Sequence, residues 1–321
     1  MYQRYFNFLK RKQIQLIIDE LYRKPKSYLR LVKRFGGHMQ YRKMINGSEQ
    51  MKAEAYRLPP VYSYPDGLPV YFLTGKQFLY QTLFCIRSLT QLTDEKFKFI
   101  LMDDGTFDTE LNEIVAKLLP GAELVTLDTI NQNLDTVLPL GKYPVIRQKR
   151  KVYNHLKKLT DIHTYKPGTN KLILDSDMLF WKEPVAVINW LKKPNGIIDI
   201  ADSTQSYGYS TSLMEELCGF QLTPMLNVGL IGFNSAIIDW EKIELWIQTL
   251  ENQEGTTYFL EQALTAMLVS CNRNERRLPK EEYIVNPSNK QVENQEGTLH
   301  HYVDLSKKPY FISAWKSLKA K

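Results

Sequence analysis

The sequence predicts an α/β protein: a doubly wound, mostly parallel central sheet with flanking helices, preceded by a basic helical extension. Three observations carry this. Short apolar runs alternate with amphipathic stretches from Pro69 onward. One run, Lys171-Leu172-Ile173-Leu174, ends abruptly in Asp175-Ser176-Asp177. The charge is also uneven: residues 1–60 hold 14 Lys and Arg against 4 Asp and Glu, while the remaining residues hold 28 against 31.

In the extension, Ile14, Ile17, Ile18, Leu21 and Tyr22 recur at helical spacing. Leu29, Leu31, Val32 and Phe35 follow after Pro25, and Gly36-Gly37 closes that segment. Residues 58–67, rich in Pro and Gly, read as a linker, so residues 1–60 are taken as an extension and 61–321 as the main domain. A strand is predicted at 70–73, a helix at 77–89, and a strand at 97–102 that ends in Asp103-Asp104-Gly105. A helix at 109–119 is closed by Pro120-Gly121, and a strand follows at 124–127. One Lys- and Arg-rich helix is predicted over 145–159, then the strand 172–174 and the acidic pair. Strands at 197–201 and 226–233 come next, then a helix burying Trp240, Ile243, Trp246, Ile247 and Leu250, and a helix over 258–269.

With 321 residues the chain supports a full core in one large domain or two modest ones. Cys85, Cys218 and Cys271 are odd in number and far apart, which argues against a disulfide framework and fits a reducing, cytoplasmic setting. No apolar run reaches the ~18 residues of a membrane-spanning helix. Residues 1–12 lack the apolar core and small-residue cleavage site of a signal peptide.

The chemistry centres on Asp175 and Asp177. In extended backbone, side chains two apart point the same way, so both carboxylates converge beyond the carboxyl end of a buried strand. Open α/β sheets bind ligands there. Adjacent carboxylates repel unless a cation sits beside them, and a divalent ion carrying a diphosphate meets that need. A turn or helix cap is the alternative reading.

These residues, with Tyr71-Phe72-Leu73-Thr74, Leu226-Asn227-Val228-Gly229-Leu230-Ile231-Gly232-Phe233, Glu261-Gln262-Ala263-Leu264, His300-His301-Tyr302-Val303 and Lys308-Pro309-Tyr310, resemble a GT-A nucleotide-sugar glycosyltransferase, closest to glycosyltransferase family 8. The resemblance spans about residues 69–315 and implies a GT-A-like sheet. It implies that Asp175 and Asp177 bind Mn2+ or Mg2+ and the ribose-diphosphate side of a UDP-sugar, with His301 as third ligand and Lys308 on the diphosphate. Thr74 and Asp104 fall near the nucleotide, and Gln262 beside the anomeric carbon. The chain departs from the family pattern at Asp304, where a Gly is usual, and at Tyr310, where a Trp is usual. Its Lys308 is seven rather than six residues after the His, and Glu261-Gln262 replaces Asp-Gln.

On a strand, His300 and His301 face opposite ways, so one of them reaches the ion. Gly229 and Gly232 allow close backbone approach to a sugar or diphosphate, or simply pack a strand. Asn227 is the expected acceptor or sugar contact, and Gln262 either meets sugar hydroxyls or caps a core hydrogen bond. Asp103-Asp104-Gly105 serves the nucleotide or only a turn. Of Arg147, Lys149, Arg150 and Lys151, Arg150 is the expected phosphate ligand.

The expected function is metal-dependent, retaining transfer of a sugar from a nucleoside diphosphate to a glycan or lipid-linked acceptor. The alternatives are a glycan-binding scaffold with a decayed site and a sugar-phosphate nucleotidyltransferase. The latter needs a Gly-rich loop after the first strand, where only Thr74-Gly75-Lys76 stands. No GxGxxG or P-loop supports a dehydrogenase or NTPase. The basic extension suits an anionic membrane surface, placing the protein peripherally on an inner face, or a solvated hairpin. No reader motif favours nucleic acid.

Overall fold

The computed structural model describes residues 24–272 and 274–318, with side chains from Tyr28 onward. The helix expected over Ile14 to Tyr22 lies outside the described residues.

Two helices open the described chain, α1 (Lys24–Arg34) and α2 (His38–Ala55), separated by Gly36 and Gly37 at φ 90° and 96°. The sequence predicts a helical extension over residues 1–60 but marks no helix ends within 38–55. α2 buries Met44, Gly47, Met51 and Ala55 at helical spacing. Gly47 looks like a breaker but is needed, because a Cβ there would lie 2.2 Å from the Phe311 carbonyl oxygen.

The βαβ order follows: β1 (Leu68–Thr74), α3 (Leu79–Thr90), β2 (Phe97–Asp103), α4 (Thr109–Leu118) and β3 (Glu123–Val125). The third strand stops earlier than expected because the Thr126 hydroxyl accepts from the Thr129 amide and starts α5 (Leu127–Val137). The single basic helix expected over 145–159 is two helices, α6 (Pro144–Val152) and α7 (Leu156–Thr164). They break at Tyr153, whose backbone is extended. β4 (Asn170–Leu174), β5 (Met178–Phe180), α8 (Val185–Lys192), β6 (Ile197–Ala201), α9 (Thr211–Cys218) and β7 (Leu226–Asn234) come next. The chain closes with α10 (Trp240–Glu254), α11 (Leu260–Cys271), β8 (Glu275–Arg277), β9 (Tyr283–Val285), α12 (Asn289–Asn294), β10 (Leu299–His301) and α13 (Lys307–Ile312).

The main sheet has seven strands in the order β3-β2-β1-β4-β7-β6-β8, with β7 antiparallel to both neighbours and the other pairings parallel. A small sheet, β5-β10-β9, stands beside it. Side chains alternate across the main sheet. Val70, Phe72, Phe99, Leu101, Leu172 and Leu174 join one apolar cluster with α3 and with Met51 and Ala55 of α2. Tyr71, Ile100, Met102, Ile173 and Ile231 join the other with α7, α10 and α11. Burial on both faces explains why these strands read as unbroken apolar runs.

Candidate metal centre

β4 ends at Leu174, and the Asp175 amide donates to the Gly229 carbonyl at 2.7 Å, carrying the β4–β7 pairing one step further. The chain then crosses through Ser176 to β5 in the small sheet. His301, the last residue of β10, pairs with Met178, and the Tyr302 amide donates to the Asp177 carbonyl at 2.9 Å. The register of the small sheet therefore brings the imidazole to the two carboxylates.

His301 Nε2 lies 3.2 Å from Asp177 Oδ1 and 3.6 Å from Asp175 Oδ2. One ligand atom from each of the three residues falls within 4.8 Å of the others. His301 Nδ1 is 3.0 Å from Asn227 Oδ1, which also accepts from the Gly229 amide at 2.9 Å. The Asn227 amide nitrogen is committed to Asp202 Oδ2 at 3.0 Å, so its oxygen must be the acceptor. In the neutral imidazole the proton then sits on Nδ1, and the Nε2 lone pair faces two carboxylate oxygens. Three facing acceptors repel without positive charge between them. Two oxygens and one imidazole nitrogen suit a divalent ion. The 3.2 Å between His301 Nε2 and Asp177 Oδ1 lies near the roughly 3 Å spacing of neighbouring ligands on such an ion. The residues fit the metal.

Each carboxylate gives its other oxygen to a lysine. Lys158 Nζ donates to Asp175 Oδ1 at 2.9 Å and to the Val228 carbonyl at 3.2 Å. Lys307 Nζ donates to Asp177 Oδ2. Burial works against charging Lys158, but Asp175 and Glu261 more than offset it and hold the ammonium protonated. Glu261 Oε2 sits 4.0 Å behind that ammonium. Burial raises its carboxyl to about 7, with Lys158 opposing and Asp175 adding to the rise. Burial also opposes ionisation of Asp177, but the Lys307 ammonium overcomes it and holds the carboxyl well below the usual range.

The other expected site residues fall in several places. Thr74 is 0% exposed. Its hydroxyl lies 2.9 Å from that of Thr82, which lies 2.8 Å from the Ser176 hydroxyl. Thr74 thus braces the acidic loop from behind rather than meeting a ligand. Gly229 is also spoken for by protein: a Cβ there would come within 2.2 Å of His301 Cε1. A Cβ on Gly232 would strike Ile198 and Trp190, which makes it a packing position. Gln262 Nε2 donates to Asp202 Oδ2 at 3.1 Å and to the Leu226 carbonyl at 2.8 Å, so it joins Asn227 around one carboxylate. Asp104, half-buried at the carboxyl edge of β2, accepts from the Thr106 amide at 3.0 Å. Asp103 Oδ1 caps the same turn through the Gly105 amide at 2.7 Å.

Two expectations are corrected. Arg150 is buried and grips Asp161 with both nitrogens, at 2.5 and 2.6 Å, tying α6 to α7. Lys308 turns away from the acidic pair, its Nζ 3.6 Å from where a Cβ on Gly36 would stand. Successive residues on a helix point about 100° apart, so at the start of α13 only one lysine aims at Asp177. That lysine is Lys307. Sequence reasoning also passed over Lys158 and Asp202. For Lys307 a signal existed, since it stands six residues after His301. Lys158 carried none, because a lysine beside Lys157 reads as solvated.

No family model matches the chain, and no curated protein matches its sequence. Among solved structures, the galactosyltransferase LgtC in complex with donor and acceptor sugar analogs superposes with a TM-score of 0.50 at 12% identity, over 78% of this chain and 95% of that one. Mouse xyloside xylosyltransferase 1 gives 0.48 at 11% identity, over 75% and 98%. The mannosyltransferase Ktr4p from S. cerevisiae gives 0.44 at 11% identity, over 74% and 78%. The likeness to LgtC shows that the chain has the GT-A fold.

Proposed function

We propose that this protein is a metal-dependent glycosyltransferase that moves a sugar from a nucleoside diphosphate, UDP by our reading, to a glycan or lipid-linked acceptor with retention. The observation that carries this is the Asp175–Asp177–His301 cluster, with its tautomer-locked imidazole, beyond the carboxyl end of β4. The likeness to LgtC, whose structure holds donor and acceptor sugar analogs, supports a donor site in this position.

Asp175, Asp177 and His301 would hold Mn2+ or Mg2+. When bound, such an ion offsets negative charge on the departing diphosphate. Asn227 keeps Nε2 free to bind, and Lys158 fixes Asp175 from the buried side. Lys307, with its side chain 29% exposed, is the cation placed to exchange Asp177 for a phosphate oxygen. It takes the role expected of Lys308. Asp104 faces the nucleotide in this reading. Asn227, Gln262 and Asp202 form the sugar side, where Asp202 is occupied by two amide donors rather than poised as a base.

Calorimetry of UDP binding with and without Mn2+ tests the proposal. Tight binding only with Mn2+, and its loss in Asp177→Ala, is the expected result. Equal affinity under both conditions removes the metal role. A screen of nucleotide sugars for metal-dependent hydrolysis then separates enzyme from scaffold, because a scaffold releases no UDP from any of them.

A further inference from the structure

The described part of the basic extension is firmly seated. α2 packs on α13 so closely that Gly47 touches the Phe311 carbonyl, and Arg34 pairs with Asp304 just before α13. The outer side of α1 and α2 carries Arg30, Lys33, Arg42 and Lys43, all exposed. Among the described residues none of these four has a carboxylate within 4.0 Å. Leu29, 63% exposed, lies on the same side of α1 as Arg30 and Lys33, and Met39, 75% exposed, on the same side of α2 as Arg42 and Lys43. Glu49 is the single exposed acid among the described side chains of the two helices, Glu54 being partly buried.

We infer that this face docks on a bilayer containing anionic lipid. Unpaired cations meet phosphate and carboxylate headgroups, while Leu29 and Met39 enter the interfacial layer. A nucleic acid would satisfy the cations and leave those apolar side chains in water. A solvated face would not need them. The inference rests on these residues and not on the glycosyltransferase reading. α2 packs on α13, whose first residue, Lys307, reaches Asp177.

The test is co-sedimentation of the full chain with vesicles of phosphatidylcholine alone or mixed with phosphatidylserine, at low and high salt. Binding to the mixed vesicles alone, weakened by salt, is expected. Each cation at such a surface is worth roughly fivefold in partitioning, so R42E/K43E should bind roughly 25-fold less well or weaker. L29S/M39S should also weaken binding, while K290E, an exposed reversal on α12, should not. Unchanged thermal melting and unchanged Mn2+–UDP calorimetry in these variants separate a failure of docking from a failure of the donor site. Absence of binding to mixed vesicles, or R42E/K43E binding like the parent, overturns the inference. So does a dimer in sedimentation equilibrium that R42E/K43E dissociates, which would give the face to a second copy.

Discussion

Asn227→Ala is the sharpest probe of the metal centre, because Asn227 touches no ion in this reading and still decides whether His301 can bind one. Its Oδ1 accepts from His301 Nδ1 at 3.0 Å and from the Gly229 amide at 2.9 Å, at a residue only 5% exposed. The alanine leaves both donors buried without a partner. Each lost bond costs about 1 kcal/mol net, and up to about 3 where the donor stays dry, so a fall of about 2–6 kcal/mol in stability is expected. Loss of the group that orients a ligating imidazole typically weakens metal binding about 10–100-fold, or about 1.4–2.7 kcal/mol. Mn2+ titration in the presence of UDP, followed by calorimetry, reads this directly. Gln262→Ala serves as the comparison, since Gln262 shares Asp202 with Asn227 but does not touch the imidazole. If Asn227→Ala keeps the parent's Mn2+ affinity while His301→Ala loses it, the tautomer argument is wrong.

Lys158→Met removes the cation between Asp175 and Glu261; Glu261 then takes up a proton, and the lost charged hydrogen bond to Asp175 should cost about 1.5–3 kcal/mol in chemical denaturation. An unaltered midpoint would mean that the ammonium contributes no net stabilisation. Lys307→Ala should weaken UDP binding by about 1.5–3 kcal/mol, the worth of a bond to a charged group, while Lys308→Ala leaves it in place. The reverse order would restore the sequence-based assignment. Stability should also fall on acidification through the histidines. His300 is fully buried, accepts at Nδ1 from the Tyr302 hydroxyl at 3.1 Å and donates from Nε2 to the Glu296 carbonyl at 2.6 Å. Burial lowers its pKa from 6.5 to about 4. The folded state therefore takes up a proton less readily than the unfolded chain. The stabilisation present above pH 6.5 is lost as pH falls toward 4, by about 3 kcal/mol. Burial depresses His163 as well, with the same sign. Glu261, raised by burial to about 7, acts with the opposite sign over this range, so the histidine part is read as the difference between the parent and His300→Asn, and the same pH dependence in both would contradict this.

The sheet was legible because its strands are buried on both faces and so appear as apolar runs; Leu172-Ile173-Leu174 is the plainest case. The acidic pair was legible because polar residues seldom interrupt such a run so abruptly. The small sheet was not, since strands of three residues such as Leu299–His301 show no period. Nor was α2, where Gly47 masks a helix whose reason is a carbonyl far along the chain. The lysines divide the same way. Which of Lys157 and Lys158 turns inward depends on where β7 and α11 lie, and which of Lys307 and Lys308 does so depends on how α13 begins. Those facts belong to tertiary packing. Arg150 was misread for the same reason, since Asp161 lies one helix further on and its pairing depends on the break at Tyr153.

The acidic loop is also a seam. Asp175 belongs to the end of the large sheet, Asp177 to the start of the small one, and His301 stands on the small sheet and reaches across to Asn227 of β7. A slip of the two layers by an ångström would pry the triad open while leaving every one of its side chains intact. Phe180 and Leu299, paired at the other end of these three-residue strands and buried, hold the register that brings His301 to the carboxylates. Trimming either one should loosen the grip at a distance.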